Sequence, residues 1–183
     1  MQADMATGQV RDALRRFQEG YTNRDMPQLD EFMQLFAQEG DPELIGIGAS
    51  VRGGNEWFEG RGAIREIIES DWTYWGDVWI DVEGARIRVL GDVSWLSTAG
   101  KLTQTDTFYE ALPFYQQNMR ELLEKEEWDT DSRLMEATHF GMRRIRERHK
   151  GKGHAWPFVL TAVLVRTKDQ WQFHTIHWSM PVD

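Results

Sequence analysis

The sequence contains no cysteine among its 183 residues. This absence excludes disulfide bonds, zinc sites built on thiolates and catalytic thiols, and it is compatible with the reducing cytoplasm. Long apolar runs are absent too, since no stretch approaches the roughly 20 residues that a membrane-spanning helix requires. The first residues also lack the basic start and the apolar stretch of a secretory signal. We therefore expect a cytoplasmic protein that makes no contact with a membrane.

Positive charge is in deficit, because 21 Lys and Arg residues stand against 30 Asp and Glu residues and leave a net charge of −9. This balance argues against nucleic acid as a partner. No phosphate loop, nucleophile elbow or dinucleotide fingerprint occurs, so we expect no cofactor. A histidine metal site needs several converging ligands. His174 and His177 lie three residues apart on a predicted strand and face opposite ways, so we expect no metal either.

Aromatic residues are abundant, with nine Trp, nine Phe and four Tyr. Tryptophan is large and carries an N–H group that needs a hydrogen-bond partner. So many large rings indicate thick aromatic walls, which either fill a core or surround a cavity.

The apolar pattern changes its period along the chain. Helical spacing predicts three N-terminal helices, whose apolar stripes run from Val10 to Tyr21, from Leu29 to Phe36 and from Ile64 to Trp75. Alternation with a period of two then predicts a meander of antiparallel strands. These strands fall between Val78 and Ala99, from Trp156 to Thr167 and from Trp171 to Met180. Helices followed by such a sheet predict an α+β fold.

A helical hairpin is predicted to interrupt the meander at about residues 105–153. Pro113 is placed at the start of its first helix, and Asp129 to Ser132 offer capping side chains for the second. The acidic segment Glu121–Asp129 and the basic segment Met142–His154 carry opposite charge, which favours pairing of the two helices. We expect one domain over residues 1–183 with this hairpin as an insertion.

Three segments resemble the SnoaL-like family of the nuclear transport factor 2-like superfamily. "EWFEGRGAIREIIESDW" (Glu56–Trp72) resembles the family's entry into the third helix, and "WQFHTIHWSMP" (Trp171–Pro181) resembles its closing strand. "YTNRDMPQLDEFMQLFA" (Tyr21–Ala37) resembles its turn and second helix. The resemblance implies a cone-shaped half-barrel, in which a curved antiparallel sheet packs on three N-terminal helices.

The superfamily includes ketosteroid isomerases, but the groups that such chemistry requires are missing here. By rough alignment, the isomerase tyrosine falls on Phe17, its carboxylate base falls near Gly46–Gly48, and its second acid falls on Ala162. The resemblance therefore argues against ketosteroid isomerase activity, and the fold alone does not decide the function.

His177 is the predicted acid or base of any reaction. Side chains alternate along a strand, so if Trp171 and Phe173 point into the core, His177 and Ser179 point toward a cavity between sheet and helices. The alternative is a hydrogen-bonded histidine that only shapes the sheet. Tyr21, Asp71 and Tyr74 are the polar groups expected at the cavity mouth, although Asp71 is favoured as a solvated acid. The predicted ligand-binding residues are Phe17, Tyr21, Phe32, Phe36, Trp72, Trp75, Trp95, Leu160, Ala162 and Ser179.

Two functions stay open on this basis. In the first, the protein binds a mostly apolar small molecule, and an isomerase, cyclase or dehydratase type of reaction using His177 follows if it is an enzyme. In the second, it is a non-catalytic homodimeric module with a filled core. In either case we expect a homodimer through the outer face of the sheet, because a large apolar face is not left in water. The predicted contributors are Trp79, Leu96, Thr161, Val163, Val165, His174, Ile176 and Trp178.

Overall fold

The computed structural model describes residues 2–49, 52, 56–168 and 170–181. They form two compact units, one running up to Leu102 and resuming over Trp156–Met180, the other covering Thr103–Ala155. Across the described residues the secondary structure is mixed, with five α-helices and seven strands, which confirms the α+β fold class. The grouping of both units into one domain stays a prediction.

The helices of the first unit are α1 (Gln2–Asn23), the short α2 (Leu29–Phe32) and α3 (Gly60–Tyr74). A 3₁₀ turn precedes α2 at Met26–Gln28, where Pro27 fits the first turn. A second 3₁₀ turn, Met33–Leu35, follows α2. The predicted second helix is therefore broken into three short pieces, and the buried residues of the last two still face the core.

The seven strands form one curved, unclosed sheet in the order β2-β1-β7-β6-β5-β3, and β4 also pairs with β5. Pairing is antiparallel for β1 with β2, β4 with β5 and β6 with β7, but β1 runs parallel to β7. The strands are β1 (Glu43–Ile45), β2 (Trp57–Glu59), β3 (Asp77–Ile80), β4 (Arg86–Leu90), β5 (Val93–Thr103), β6 (Ala155–Thr167) and β7 (Gln170–Ser179).

A β-bulge in β7 places the side chains of its C-terminal half on the faces of the sheet opposite to those predicted. Leu164 pairs with Phe173 while Val163 pairs with Thr175, so His174 is the extra residue. One extra residue exchanges the two faces of a strand. Phe173 is therefore buried before the bulge, and Ile176 and Trp178 are buried after it. Ile176 and Trp178 had been predicted on the outer face.

The same bulge places His177 and Ser179 on the outer face of the sheet, where both are exposed. Their predicted approach to an interior cavity is therefore wrong. His177 pairs with Thr161 and Ser179 pairs with Val159, and both partners are exposed outer residues as well.

The side chains of β5 also lie on the faces of the sheet opposite to those predicted. Leu96 is buried beside its cross-strand partner Ile87, whereas Trp95 lies on the outer face and is 48% exposed. Gly100 shares the inner face with Leu96 and packs closely under Phe158, since a Cβ at Gly100 would lie 2.1 Å from the Phe158 ring. Trp95 therefore joins Trp79, which was correctly placed on the outer face and is 51% exposed.

The core of the first unit is a cluster of aromatic rings between α1 and the sheet. The ring of Phe17 is fully buried. Its centre lies 5.1–6.3 Å from the ring centres of Tyr21, Phe32, Phe36, Phe173 and Trp178. Such tilted and edge-on ring contacts stabilise a core beyond the burial of their area.

The second unit is a pair of packed helices, α4 (Phe108–Leu123) and α5 (Thr130–Arg148). Helix α4 begins before Pro113, because Thr107 and Glu110 form a capping box. Asp129 caps α5 by accepting a 2.8 Å hydrogen bond from the Ser132 backbone N–H, which confirms the predicted cap. Gly141 lets the helices approach closely, since a Cβ there would lie 3.3 Å from Met119.

No helix among the residues that the structure describes is long and apolar enough to cross a bilayer.

Candidate functional site

One polar pair interrupts the aromatic core of the first unit. The Tyr21 hydroxyl donates a 2.9 Å hydrogen bond to Oδ2 of Asp71. Helix α1 supplies the phenol, whose side chain is buried, and helix α3 supplies the carboxylate, which is half-buried. The two residues are 50 positions apart in sequence, so only the packing of the helices brings them together.

The environment holds Tyr21 in its protonated form. Burial is the main cause that raises the pKa of Tyr21 well above 10.0, and the neighbouring Asp71 carboxylate adds to the rise. Arg24 acts weakly in the opposite direction. A phenol that keeps its proton remains a hydrogen-bond donor at neutral pH. It therefore orients the Asp71 carboxylate.

Trp75 lies beside this pair as the C-cap residue, directly after the end of α3. Its ring contacts Tyr21 edge-on at 6.4 Å and Trp178 at 5.4 Å, measured between ring centres. Like Asp71, Trp75 is only half-buried. The Trp75 backbone N–H donates a 2.9 Å hydrogen bond to the backbone carbonyl oxygen of Asp71, which holds the two residues close together, and both are partly accessible.

The predicted ligand-binding residues separate into two sets. Eight of them lie on the inner side, where they pack among the helices or under the sheet: Phe17, Tyr21, Phe32, Phe36, Trp72, Trp75, Leu160 and Ala162. Trp95 and Ser179 lie on the outer face with His177. Sequence reasoning therefore found the aromatic interior but assigned three outer residues to it.

On the outer face, Trp95 and His177 border a shallow depression of about 240 Å³. The depression is open to solvent, and its other borders come from the neighbouring strands β5, β6 and β7. The lining residues there are Leu96, Ser97, Thr161, Ala162, Val163 and Thr175. This part of the sheet is a surface and not an enclosed site.

A separate cleft of about 130 Å³ lies at the outer side of helices α1, α2 and α3. Phe32, Leu35 and Trp72 form its apolar part, and charged residues such as Arg16 and Glu31 form its rim. The indole N–H of Trp72 is buried and makes no hydrogen bond among the described residues. A donor of this kind is satisfied by water or by an oxygen of a bound molecule.

Within the described ranges, no group of three His, Asp or Glu side chains is arranged to hold a metal ion.

Sequence reasoning missed the role of Asp71, although a signal was present. Asp71 follows Ile64 by seven positions and Ile68 by three, and it precedes Trp75 by four. It therefore falls within the apolar stripe of α3 at a period of 3.6. An acid in such a stripe needs a polar partner when the stripe is buried, and Tyr21 is that partner here.

Comparison with known proteins identifies a family and a fold. The family model of the SnoaL-like domain matches residues 10–115. No curated protein matches the sequence.

Among solved structures, a candidate dehydratase of the nuclear transport factor 2-like family from Streptomyces avermitilis is similar at a TM-score of 0.61. It is 14% identical, and the match covers 98% of this chain and 99% of that one.

Two further structures resemble this chain. A ketosteroid isomerase-like protein from Erwinia carotovora atroseptica is 12% identical, with 95% of each chain covered and a TM-score of 0.54. A candidate calcium/calmodulin-dependent protein kinase II association domain from Xanthomonas campestris is 14% identical, with 92% and 82% covered and a TM-score of 0.52. At such identities these likenesses show the fold alone.

Proposed function

Because this chain belongs to the SnoaL-like domain family, we propose that it binds a small, mostly apolar molecule whose polar group contacts Asp71. The observation that carries the proposal is the 2.9 Å hydrogen bond from buried Tyr21 to Asp71 in the aromatic core. Binding sites for small molecules combine apolar walls with a few fixed polar groups. Trp75 supplies the wall, and the Tyr21–Asp71 pair supplies the polar group.

The half-burial of Asp71 and Trp75 supports this assignment. A carboxylate accepts hydrogen bonds through its two oxygens, and the bond from Tyr21 fixes the orientation of this one. The indole beside it offers an apolar surface. A flat molecule carrying a hydroxyl or an acidic C–H group fits this combination.

If the bound molecule reacts, proton transfer is the chemistry that this pair supports. A positioned carboxylate takes a proton from a carbon next to a carbonyl group and returns it elsewhere on the same molecule. We assign the base to Asp71 and not to His177, because His177 is exposed on the outer face of the sheet. Tyr21 orients Asp71 in this scheme and donates no proton to the substrate.

The test uses two probes that differ by one group, 2-naphthol and naphthalene. Both fit an aromatic wall, but only 2-naphthol offers an O–H donor. Titration against the nine intrinsic tryptophans is expected to show tighter binding of 2-naphthol, by about tenfold or more, since a hydrogen bond to a charged group contributes about 1.5–3 kcal/mol. Asp71→Asn is expected to remove most of this difference and to leave naphthalene binding unchanged.

His177→Ala is the matched control, because it removes the other candidate base from an exposed outer position. We expect it to bind both probes as the wild type does. Equal affinity of wild type for the two probes, or a loss of 2-naphthol binding in His177→Ala but not in Asp71→Asn, would overturn the proposed site.

We also propose that the outer face of the sheet pairs with a second copy of the chain. The observation that favours this second role is the exposure of Trp79, Trp95 and Val159, each close to half exposed on one face. Isolated exposed apolar residues are ordinary, but several on one face are typical of an interface, and Trp95 also borders the depression on this face. The likeness to an association domain is compatible with such a role.

The outer-face contact is tested by the mass of Trp95→Glu in solution. Light scattering of the wild type is expected to give a dimer, and Trp95→Glu is expected to shift it toward monomer. Leu90→Glu serves as the control, since Leu90 is even more exposed but lies at the end of β4. A monomeric wild type would rule this contact out.

A further inference from the structure

Helix α5 carries an apolar stripe on its exposed side. Leu134, Met135, Met142 and Ile145 are each more than half exposed. At 100° per residue these four side chains fall within an arc of about 100°, and exposed Thr138 lies inside the same arc. A depression of about 410 Å³ follows the stripe. Four large apolar side chains in one contiguous patch indicate a contact surface.

The two ends of this stripe carry opposite charge. Before and at the start of α5, five exposed acids stand against the single Lys125: Glu124, Glu126, Glu127, Asp129 and Asp131. At its far end the exposed charged residues are basic, namely Arg146, Lys150 and Lys152. The helix dipole favours this order of charges on its own, but it does not account for the apolar stripe between them.

We propose that a second copy of this chain docks on the stripe, with the two α5 helices antiparallel about a twofold axis. In a twofold interface, residue i faces j and j faces i. An antiparallel pair therefore places the acidic end of one helix against the basic end of the other. A parallel pair would bring like charges together. This contact is independent of the small-molecule site and of the outer sheet face.

The stripe fixes the register of the pair. An axis near residue 140 places Thr138 opposite the partner's Met142 and Met135 opposite the partner's Ile145. The same register places Asp131 opposite the partner's His149, and Lys150 faces the partner's first helical turn. Met142 then packs on the partner's Thr138 and Met135 on the partner's Ile145 around the centre. At each end, Lys150 lies close to the partner's Asp131.

The contact is small, so we expect a weak and concentration-dependent dimer. Helix α5 has 19 residues, which makes it about 28 Å long. A strip of that length and about 10 Å wide falls short of the ~800 Å² per partner that is typical of a stable interface. The acidic end also opposes binding of the stripe to an anionic membrane.

Thiol-specific cross-linking tests the antiparallel register. Because the sequence contains no cysteine, only the introduced thiols react. In the proposed pair, Thr138 and the partner's Thr138 are four residues out of register, or about 6 Å along the axis. The two copies of Asp131 are 18 residues apart, or about 27 Å. A short bis-maleimide is expected to cross-link Thr138→Cys and not Asp131→Cys. Cross-linking of both variants in equal yield would overturn the antiparallel arrangement.

Sedimentation over a concentration series tests the surface itself. Met142→Glu is expected to weaken self-association at least tenfold, whereas Tyr109→Glu, at an exposed position on α4, is expected to leave it unchanged. Asp131→Lys and Lys150→Glu are each expected to weaken it, and the double variant is expected to restore it. Nonspecific association through exposed apolar residues would not be rescued by the double variant.

Other results would overturn the proposal and identify what replaces it. Association that survives Met142→Glu but is lost in Trp95→Glu would place the dimer on the sheet face alone. A sedimentation coefficient that stays at the monomer value up to millimolar concentration would exclude any second copy, and one that stays at the dimer value in both wild type and Met142→Glu would exclude the α5 contact. Binding of wild type, but not of Met142→Glu, to phosphatidylcholine and phosphatidylserine vesicles would make the stripe a membrane contact instead.

Discussion

Removing the hydroxyl of Tyr21 tests the polar pair in the core most simply. Tyr21→Phe keeps the ring, which is buried against Phe17, Phe32 and Trp178, and deletes only the donor to Asp71. A hydrogen bond to a charged group contributes about 1.5–3 kcal/mol, and the half-burial of Asp71 favours the lower part of this range. We expect the free energy of unfolding to fall by about 1.5–2 kcal/mol, with a decrease in Tm of about 3–8 °C.

Urea unfolding followed by tryptophan fluorescence is the assay, since all tryptophans except Trp128 belong to the first unit. A double-mutant cycle with Asp71→Asn isolates the coupling between the two side chains, for which we expect about 1 kcal/mol or more. A loss below about 0.5 kcal/mol for Tyr21→Phe, or purely additive effects in the cycle, would refute the reasoning.

Three further predictions follow from the same structure. Because its pKa is raised, Tyr21 stays protonated in the fold where the unfolded chain ionises, above about pH 10. The free energy of unfolding therefore falls as pH rises through that value, and Tyr21→Phe, compared at pH 8 and pH 11, is expected to lose this part of the fall. Trp178→Ala is expected to lower stability by about 3–5 kcal/mol in urea unfolding, because its buried ring contacts four others, whereas Trp95→Ala is expected to change it by less than about 1 kcal/mol. Asp129→Ala removes the cap of α5 and is expected to lower the stability of the second unit by about 1 kcal/mol, read from the fluorescence of the adjacent Trp128.

The architecture was accessible from the sequence because it depends on periodicity. Helical spacing predicted α1 and α3, and alternation predicted β5, β6 and β7. The meander was predicted to pair successive strands, but β3 neighbours β5 in the sheet rather than β4. Outside the meander, β1 runs parallel to β7, a pairing that has no local signature.

The face of the sheet on which each strand residue lies was harder to predict from the sequence. The bulge at His174 exchanges the two faces of β7, and neither glycine nor proline marks it. A single residue therefore moved His177 and Ser179 outward and Ile176 and Trp178 inward. Without the bulge, the alternation through Phe173 would have placed all four as predicted.

Only one of the two residues of the polar pair could be predicted from the sequence. Tyr21 lies in an obvious apolar stripe and was named as a polar group at the cavity mouth. Asp71 was favoured as a solvated acid, because its partner lies 50 residues away and the angle between α1 and α3 is a tertiary property. Its place in the stripe of α3 was the available signal.

The most direct test of the small-molecule site is ¹⁹F NMR of protein labelled with 5-fluorotryptophan, titrated with 2-naphthol. The nine tryptophans report on the interior, the outer face and the second unit separately, once each signal is assigned by a single Trp→Phe variant. The proposed site predicts that 2-naphthol shifts the Trp75 signal first and that Asp71→Asn abolishes this shift. A first shift of the Trp95 signal, with Trp75 unmoved, would contradict it and move binding to the outer face of the sheet.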